Sequence, residues 1–323
     1  PVTIAHLVCR LLLEKKNLEP VSINNTFTDY LSRNPDADYL IITHESLQEA
    51  AETYRDYRIS QGYNAEVFLV GQLYDQFAYG VKKNPLALRN FIHYLYNENS
   101  TTPKYLFLIG KSIHSRMYRN DGEFWEWCLV PSMGNPSSDN LLTAGLEDSY
   151  FEPLVPTGRL SAKDASEVDE YLAKIAAYES NPTGEWMKNV LHFGGGSNSS
   201  EQSTFSTYLH NYEMIVEDTL FGGYVSTFLK NSSDPIQITV SDSVRDLINN
   251  GVTLMTFFGH AASSGFDQNI DDPQNYNNEQ RYPFILANSC FAGDIHLPYS
   301  QSTSEDWTII PDKGAIGFLA SVG

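Results

Sequence analysis

Short runs of consecutive apolar residues alternate with segments of helical periodicity along most of the chain. That alternation predicts parallel strands covered by helices. Residues 39–43 (YLIIT), 66–70 (EVFLV) and 105–110 (YLFLIG) read as strands buried on both faces. Between the first two, Ser46-Leu-Gln-Glu49 has the spacing of a capping box, and Leu47, Ala50, Ala51 and Tyr54 form a stripe that stops at Gly62. Asn84-Pro85 opens the next helix, with Asn as the cap and Pro in the first turn. These elements make a βαβαβ half.

From 111 to 156 the periodicity disappears and Trp, Pro, Gly, Ser and acidic residues accumulate, so a long functional loop is expected there. A short strand at 157–160 and a helix from Ser161 to about Glu179 follow. Asn181-Pro-Thr-Gly184 marks the expected boundary. The second half repeats the alternation, with strands at 190–193, 224–229, 253–258, 284–288 and 315–320, and helices at about 201–220 and 242–250. The expected organisation is a leading segment 1–35, an N-terminal α/β subdomain 36–182 and a second subdomain 183–323. The sequence ends just after a strand, which suggests a piece of something longer.

Composition narrows the classes. Lys+Arg of 21 against Asp+Glu of 40 gives a net charge of −19, which repels phosphate backbones and anionic lipid. Nucleic-acid binding is therefore not expected, and neither is membrane insertion, since the apolar run near Leu7 is far too short to span a bilayer. No basic stretch precedes a hydrophobic one, so no signal peptide is visible. Three cysteines, Cys9, Cys128 and Cys290, cannot all pair, and no zinc-type spacing occurs.

Two strand ends carry the candidate chemistry. Thr253-Leu-Met-Thr-Phe-Phe-Gly259-His260-Ala261 and Phe284-Ile-Leu-Ala-Asn-Ser-Cys290-Phe-Ala-Gly293-Asp294 each place a reactive side chain just past an apolar strand. In parallel α/β sheets, ligand chemistry collects outside the carboxyl ends of strands. If those strands are neighbours, His260 and Cys290 face each other, and an imidazole beside a thiol makes a nucleophile. Cys9 and Cys128 lack such a setting and are expected to be packing residues. Gly194-Gly-Gly-Ser197 lacks the spacing of a nucleotide loop and is expected to be a tight strand-to-helix turn.

The two motifs together, Phe-Phe-Gly-His and, about thirty residues later, Pro-Phe-Ile-Leu-Ala-Asn-Ser-Cys-Phe-Ala-Gly-Asp, resemble the gingipain family of cysteine peptidases in the caspase-like clan. Asp38-Tyr-Leu-Ile-Ile-Thr43, Pro136-Ser-Ser-Asp139 with Asp148 nine residues on, Thr157-Gly-Arg-Leu160 and Lys313-Gly-Ala-Ile-Gly-Phe-Leu-Ala-Ser321 extend the likeness from about Asp38 to Gly323. Ile59-Ser-Gln-Gly-Tyr63 and Leu73-Tyr-Asp-Gln-Phe-Ala-Tyr-Gly80 are similar to the sortase-like surface peptidase of the bacterial type IX secretion system. The resemblance implies a caspase-like α/β fold of two stacked, mostly parallel subdomains and a secreted or outer-membrane-surface cysteine endopeptidase. Its partners would be protein or peptide substrates, with secretion-system components as a further class. The alternative is a catalytically silent caspase-like scaffold, a reading favoured by Ala261 where the family has Gly and by the missing tryptophan after the histidine.

Under that resemblance Cys290 is the nucleophile and His260 the base, with Asp139 as the orienting carboxylate ahead of Glu147, Asp148, Glu123 and Glu126. The amides of Cys290 and of Ala261 or Gly259 would form an oxyanion hole. Asp148, Phe266 and Ser289 are the substrate-binding candidates, with Asp148 expected to accept a basic side chain deep in a pocket. No cofactor is required. Structural calcium is considered through Asp267, Asp271 and Asp272, although no EF-hand spacing is present. Asp294 is expected to cap a loop.

Overall fold

Tyr39–Thr43, buried from Leu40 onward, form β1 inside the first sheet in the computed structural model, which describes residues 28–33, 35–234, 237–238, 242–270 and 272–323. β2 (Ala65–Leu69) and β3 (Tyr105–Ile109) pair with β1 on either side, and β4 (Thr157–Leu160) pairs with β3. All pairings are parallel, which explains the continuous apolar runs: both faces of each inner strand are covered. Helix α1 (Gln48–Ser60) lies over the sheet through Ala50, Ala51 and Tyr54. Its start differs from the expected capping box. A short 3₁₀ turn at Glu45–Leu47 precedes it, and the His44 ring accepts the Ser46 N–H. α2 (Val70–Phe77) follows β2 directly and had no sequence counterpart, while α3 (Leu86–Glu98) begins under the Asn84 cap as expected.

α4 (Ala165–Ser180) is capped by Asp164, whose side chain accepts the Glu167 N–H. Ser161, where the sequence pattern starts this helix, is buried and donates to Glu305 at 2.8 Å instead. The second sheet takes β5 (Asn189–Gly194), β6 (Tyr224–Leu229), β7 (Leu254–Phe258), β8 (Phe284–Asn288) and β9 (Gly317–Ala320) in the order β9-β8-β7-β5-β6, again all parallel. α5 (Ser199–Val216) and α6 (Asp242–Asn250) belong to this half. Contacts join residues 34–323 into one compact unit. The remainder, residues 1–33, is a separate unit described at residues 28–33, with a short helix Tyr30–Arg33; residues 1–27, with Cys9, lie outside the described residues.

A helix the sequence pattern did not reveal joins the two sheets. α7 (Thr303–Ile309) is opened by a capping box from Ser302 to Glu305, and Glu305 is buried. Lys111, just past β3, donates to the Glu305 Oε1 at 2.5 Å with both side chains almost fully enclosed. At the other end Lys174 of α4 donates to the carbonyls of Thr308 (3.1 Å) and Ile310 (2.9 Å), the helix end where a cation is favoured. Burial pulls Lys174 down to about 7. One short helix is thus clamped at both termini by buried lysines from the first half. Beside it, β4 and β9 together line a cavity of about 220 Å³.

Because Glu305 has no water to turn to, Lys111→Met should cost about 3–5 kcal/mol of stability in urea unfolding. The double variant Lys111→Met/Glu305→Gln should recover part of that loss. A single variant as stable as the wild type would show that the pair does not hold the halves together.

Candidate active site

β7 and β8 are adjacent and in parallel register, with Phe258 opposite Asn288. His260 and Cys290 are each the second residue beyond that pair. Their backbones therefore leave the sheet side by side at the same level. The Gly259 N–H, 3.5 Å from the Asn288 carbonyl oxygen, ties the two exits together. Both side chains are exposed, as reactive groups at a sheet edge must be.

What holds His260 in place is a buried carboxylate. After His260 the chain makes a tight hairpin, Ala261–Ala262 against Gly265–Phe266, which returns Asp267 to the base of the loop. Asp267 Oδ1 accepts the His260 N–H at 3.0 Å, Oδ2 accepts the Gly196 N–H at 2.8 Å, and the Asp267 N–H donates to the His260 carbonyl at 2.9 Å. Buried Lys230 brings its Nζ to 3.6 Å from Oδ2. This contact explains two glycines. A Cβ on Gly195 would fall 2.0 Å from Asp267 Oδ1, and one on Gly259 would fall 2.6 Å from it. The glycine turn after β5 is an anion nest, but its anion is the protein's own carboxylate.

The same turn delivers a residue that sequence reasoning missed. Asn198 caps α5 by accepting the Ser200 and Glu201 N–H groups, so Glu201 stands in the first turn, next to the β7 exit. Glu201 Oε2 lies 3.1 Å from His260 Nε2 and also accepts the Ser197 N–H at 2.8 Å. The Ser197 N–H, then His260, hold the Glu201 carboxyl below its ordinary range. With Nε2 donating to Glu201, Nδ1 is left with the lone pair. The available signal was the cap spacing Asn198 to Glu201 behind the strand adjoining the histidine strand.

Several expected site residues are elsewhere. Asp139 is not the partner of His260. Its Oδ2 takes Arg159 Nε at 2.7 Å, its Oδ1 takes Arg159 Nη2 at 2.8 Å and Ser132 Oγ at 2.6 Å, and Arg159 also donates to the Gly110 and Val130 carbonyls. Burial pushes the Asp139 carboxyl up, but Arg159 outweighs it and the net shift is downward. This pair pins the irregular segment to β4. Phe266 is buried and stacked on Phe257 with ring centroids 4.1 Å apart, so it is core, not a substrate contact. Ser289 is buried too, with Oγ unpartnered, and presents nothing to a substrate. Asp148 is exposed on a turn, not deep in a pocket, and the adjacent Glu147 is taken by His93 at 2.6 Å and Asn97 at 3.1 Å. Glu123 and Glu126 are exposed on the short helix Gly122–Trp127.

The Gly259 amide is directed at Asn288, which leaves Cys290 and Ala261 as the oxyanion candidates. Asp267, buried under the histidine, is no surface calcium ligand, and Asp272 caps the turn at Pro273–Asn275. Asp271 lies outside the described residues. Among those residues no group of three or more His, Cys, Asp or Glu side chains could hold a metal, and no helix is long and apolar enough to cross a membrane. Cys128 is fully buried, and burial raises its thiol. Asp294 closes the turn after Cys290 through its N–H to the Phe291 carbonyl at 3.0 Å, and its Oδ1 takes His114 Nε2 at 3.0 Å.

Residues 32–323 match the model of peptidase family C25. Among solved structures, the Arg-specific cysteine proteinase gingipain R (RgpB) superposes with a TM-score of 0.67 at 17% identity, over 89% of this chain and 63% of that one. The complex of Porphyromonas gingivalis RgpB pro- and mature domains gives 0.65 at 17% identity, over 88% and 64%. A further protease structure gives 0.63 at 18%, over 90% and 61%. The likeness establishes the caspase-like α/β fold. This chain spans a little under two thirds of the length of those structures. A search of curated proteins returned no match.

Asp267→Ala should remove about 3–5 kcal/mol of stability in urea unfolding, since it strips one partner from a buried charge pair and leaves the Gly196 and His260 amides without their acceptor. A loss under about 1 kcal/mol would show that the loop is held by something else.

Proposed function

Given that the chain belongs to peptidase family C25, we propose that it is a cysteine endopeptidase working through Cys290 and His260, with Glu201 orienting the imidazole. The observation that carries the proposal is the shared register of the two strand ends, with Glu201 Oε2 3.1 Å from His260 Nε2. His260 Nδ1 takes the Cys290 thiol proton as Sγ attacks the peptide carbonyl. The resulting oxyanion is met by the Cys290 and Ala261 amides. On collapse the C–N bond breaks and His260 returns the proton to the leaving amine. A water then attacks the thioester, giving its proton to His260, and the thiol is regenerated as the acid product leaves.

Glu201 fixes the ring without entering the bond changes. Its distance from Nε2 fits that role, and its firm seat at the start of α5 keeps the ring from swinging away. The family membership also supports protein substrates, which we place among secreted or surface proteins. A basic residue before the scissile bond loses its expected anchor, because Asp148 is exposed on a turn.

Cys290→Ala should abolish labelling by a thiol-directed peptidyl ketone, read by intact-mass spectrometry. Glu201→Gln should lower kcat by roughly 10- to 100-fold with little change in KM. Labelling that survives on Cys128 in the Cys290→Ala protein would overturn the assignment. An unlabelled wild type, silent towards a broad peptide panel, would instead favour the scaffold.

A further inference from the structure

A pocket of about 350 Å³ opens beside the nucleophile turn. One wall is Phe291, directly after Cys290, together with Val322 beyond β9. The other wall comes from the first half: His114, Arg116, Pro136 and Ser137. Phe291 has φ of 59° and is half exposed, so the tight turn after the nucleophile turns an aromatic face to this space. In the order β9-β8-β7, His260 stands on one side of Cys290 and the pocket on the other. A peptide whose carbonyl lies between Cys290 and His260 and whose chain continues toward β9 would pass the pocket mouth with one of its side chains.

The charges in the pocket are unequal. Asp294 is already engaged: His114 Nε2 is 3.0 Å from its Oδ1, and the His296 N–H donates to the same oxygen at 3.3 Å. Burial pushes the Asp294 carboxyl up, but the His114 hydrogen bond and charge outweigh it, and it stays below its ordinary range. His114 in turn faces Ser137 Oγ through Nδ1 at 3.3 Å. That pair is closed on itself. Arg116 is exposed and makes no ion pair with any described residue. In a chain carrying −19 net charge, this pocket beside the nucleophile holds an engaged carboxylate and an unengaged guanidinium.

We propose that this pocket is a substrate subsite for an acidic side chain, with Arg116 as its cation and Phe291 and Pro136 flanking the aliphatic stem. A guanidinium and a carboxylate match in bidentate geometry, whereas a lysine or arginine side chain here would meet Arg116 and find Asp294 already taken. The proposal deepens the peptidase reading and rests on it for the position of the scissile bond.

The test uses fluorescent hexapeptides identical except for Glu, Gln or Lys at each position in turn. Binding is measured by anisotropy on Cys290→Ala protein, and cleavage of the same series is measured on the wild type. At one position near the scissile bond, the Glu peptide should bind about tenfold more tightly than the Gln peptide, with Lys weakest. Arg116→Gln, which is least disruptive to the fold, should erase the Glu preference, and Arg116→Glu should invert the order of Glu and Lys. No Glu preference at any position, or an order unchanged in both variants, overturns the subsite. Cleavage by the wild type without a Glu preference overturns the subsite and leaves the peptidase reading standing. A Glu preference in binding, with no peptide cleaved, supports the subsite and sinks the peptidase reading.

Discussion

The carboxylate of Asp267 is the constraint on which the site's geometry depends. A histidine at a strand end is useful only if its backbone is held, and loops at sheet edges are the parts of a protein least able to hold themselves. Here one buried side chain accepts the amide of His260 from one loop and the amide of Gly196 from the next. It thereby ties the exit of β7 to the turn that starts α5. Because that turn also delivers Glu201, the imidazole is fixed at its backbone and at its ring by the same junction. The glycines at 195 and 259 follow from this, since the carboxylate occupies the space a Cβ would need. A buried anion with amide donors on two loops and Lys230 nearby meets the condition under which such a group is tolerated.

The nucleophile is held from the opposite direction. Asp294 closes the turn that follows Cys290 and is gripped by His114, which comes from the first half of the chain. Further along, α7 is clamped at its start by Lys111 and at its end by Lys174. The two sheets share no ladder among the described residues. Their relative position, and hence the shape of the groove beside Cys290, rests on these charged contacts together with Ile309 and Ile316, which pack into the first half's core, and the Tyr171 hydroxyl, which donates to the Ile316 carbonyl. This gives the first half a mechanical part in a site whose reacting groups lie in the second.

How much was visible in the sequence depended on whether a residue acts through its neighbours in the chain or through distant ones. The inner strands were legible from their apolar runs: Tyr39–Thr43 is buried from Leu40 onward, and Phe284–Asn288 buries Ile285 and Ala287. His260 and Cys290 were legible because each directly follows such a run. α7 was not, because its buried face includes Ser304 and Glu305, which read as solvent-facing, and its apolar residues are too few to set a period. Phe266 was a binding candidate as the nearest aromatic after His260, where the resembled family has a tryptophan, yet the hairpin folds it onto Phe257 in the core. Asp139 and Glu201 illustrate the same limit. Which acid reaches the histidine is decided by strand order, and strand order places the β5 exit beside β7 while Asp139 is drawn to Arg159.

The central claim is that the two strand ends act as one chemical unit, with His260 drawing the proton from Cys290. The most direct measurement is the rate of Cys290 alkylation by iodoacetamide at pH 6 to 7, in the wild type and in His260→Ala, followed by peptide mapping. The account predicts that removing the imidazole slows Cys290 alkylation at least about tenfold, while the protein stays folded. Equal rates in the two proteins would mean that the histidine does not serve this cysteine, and the account would be contradicted.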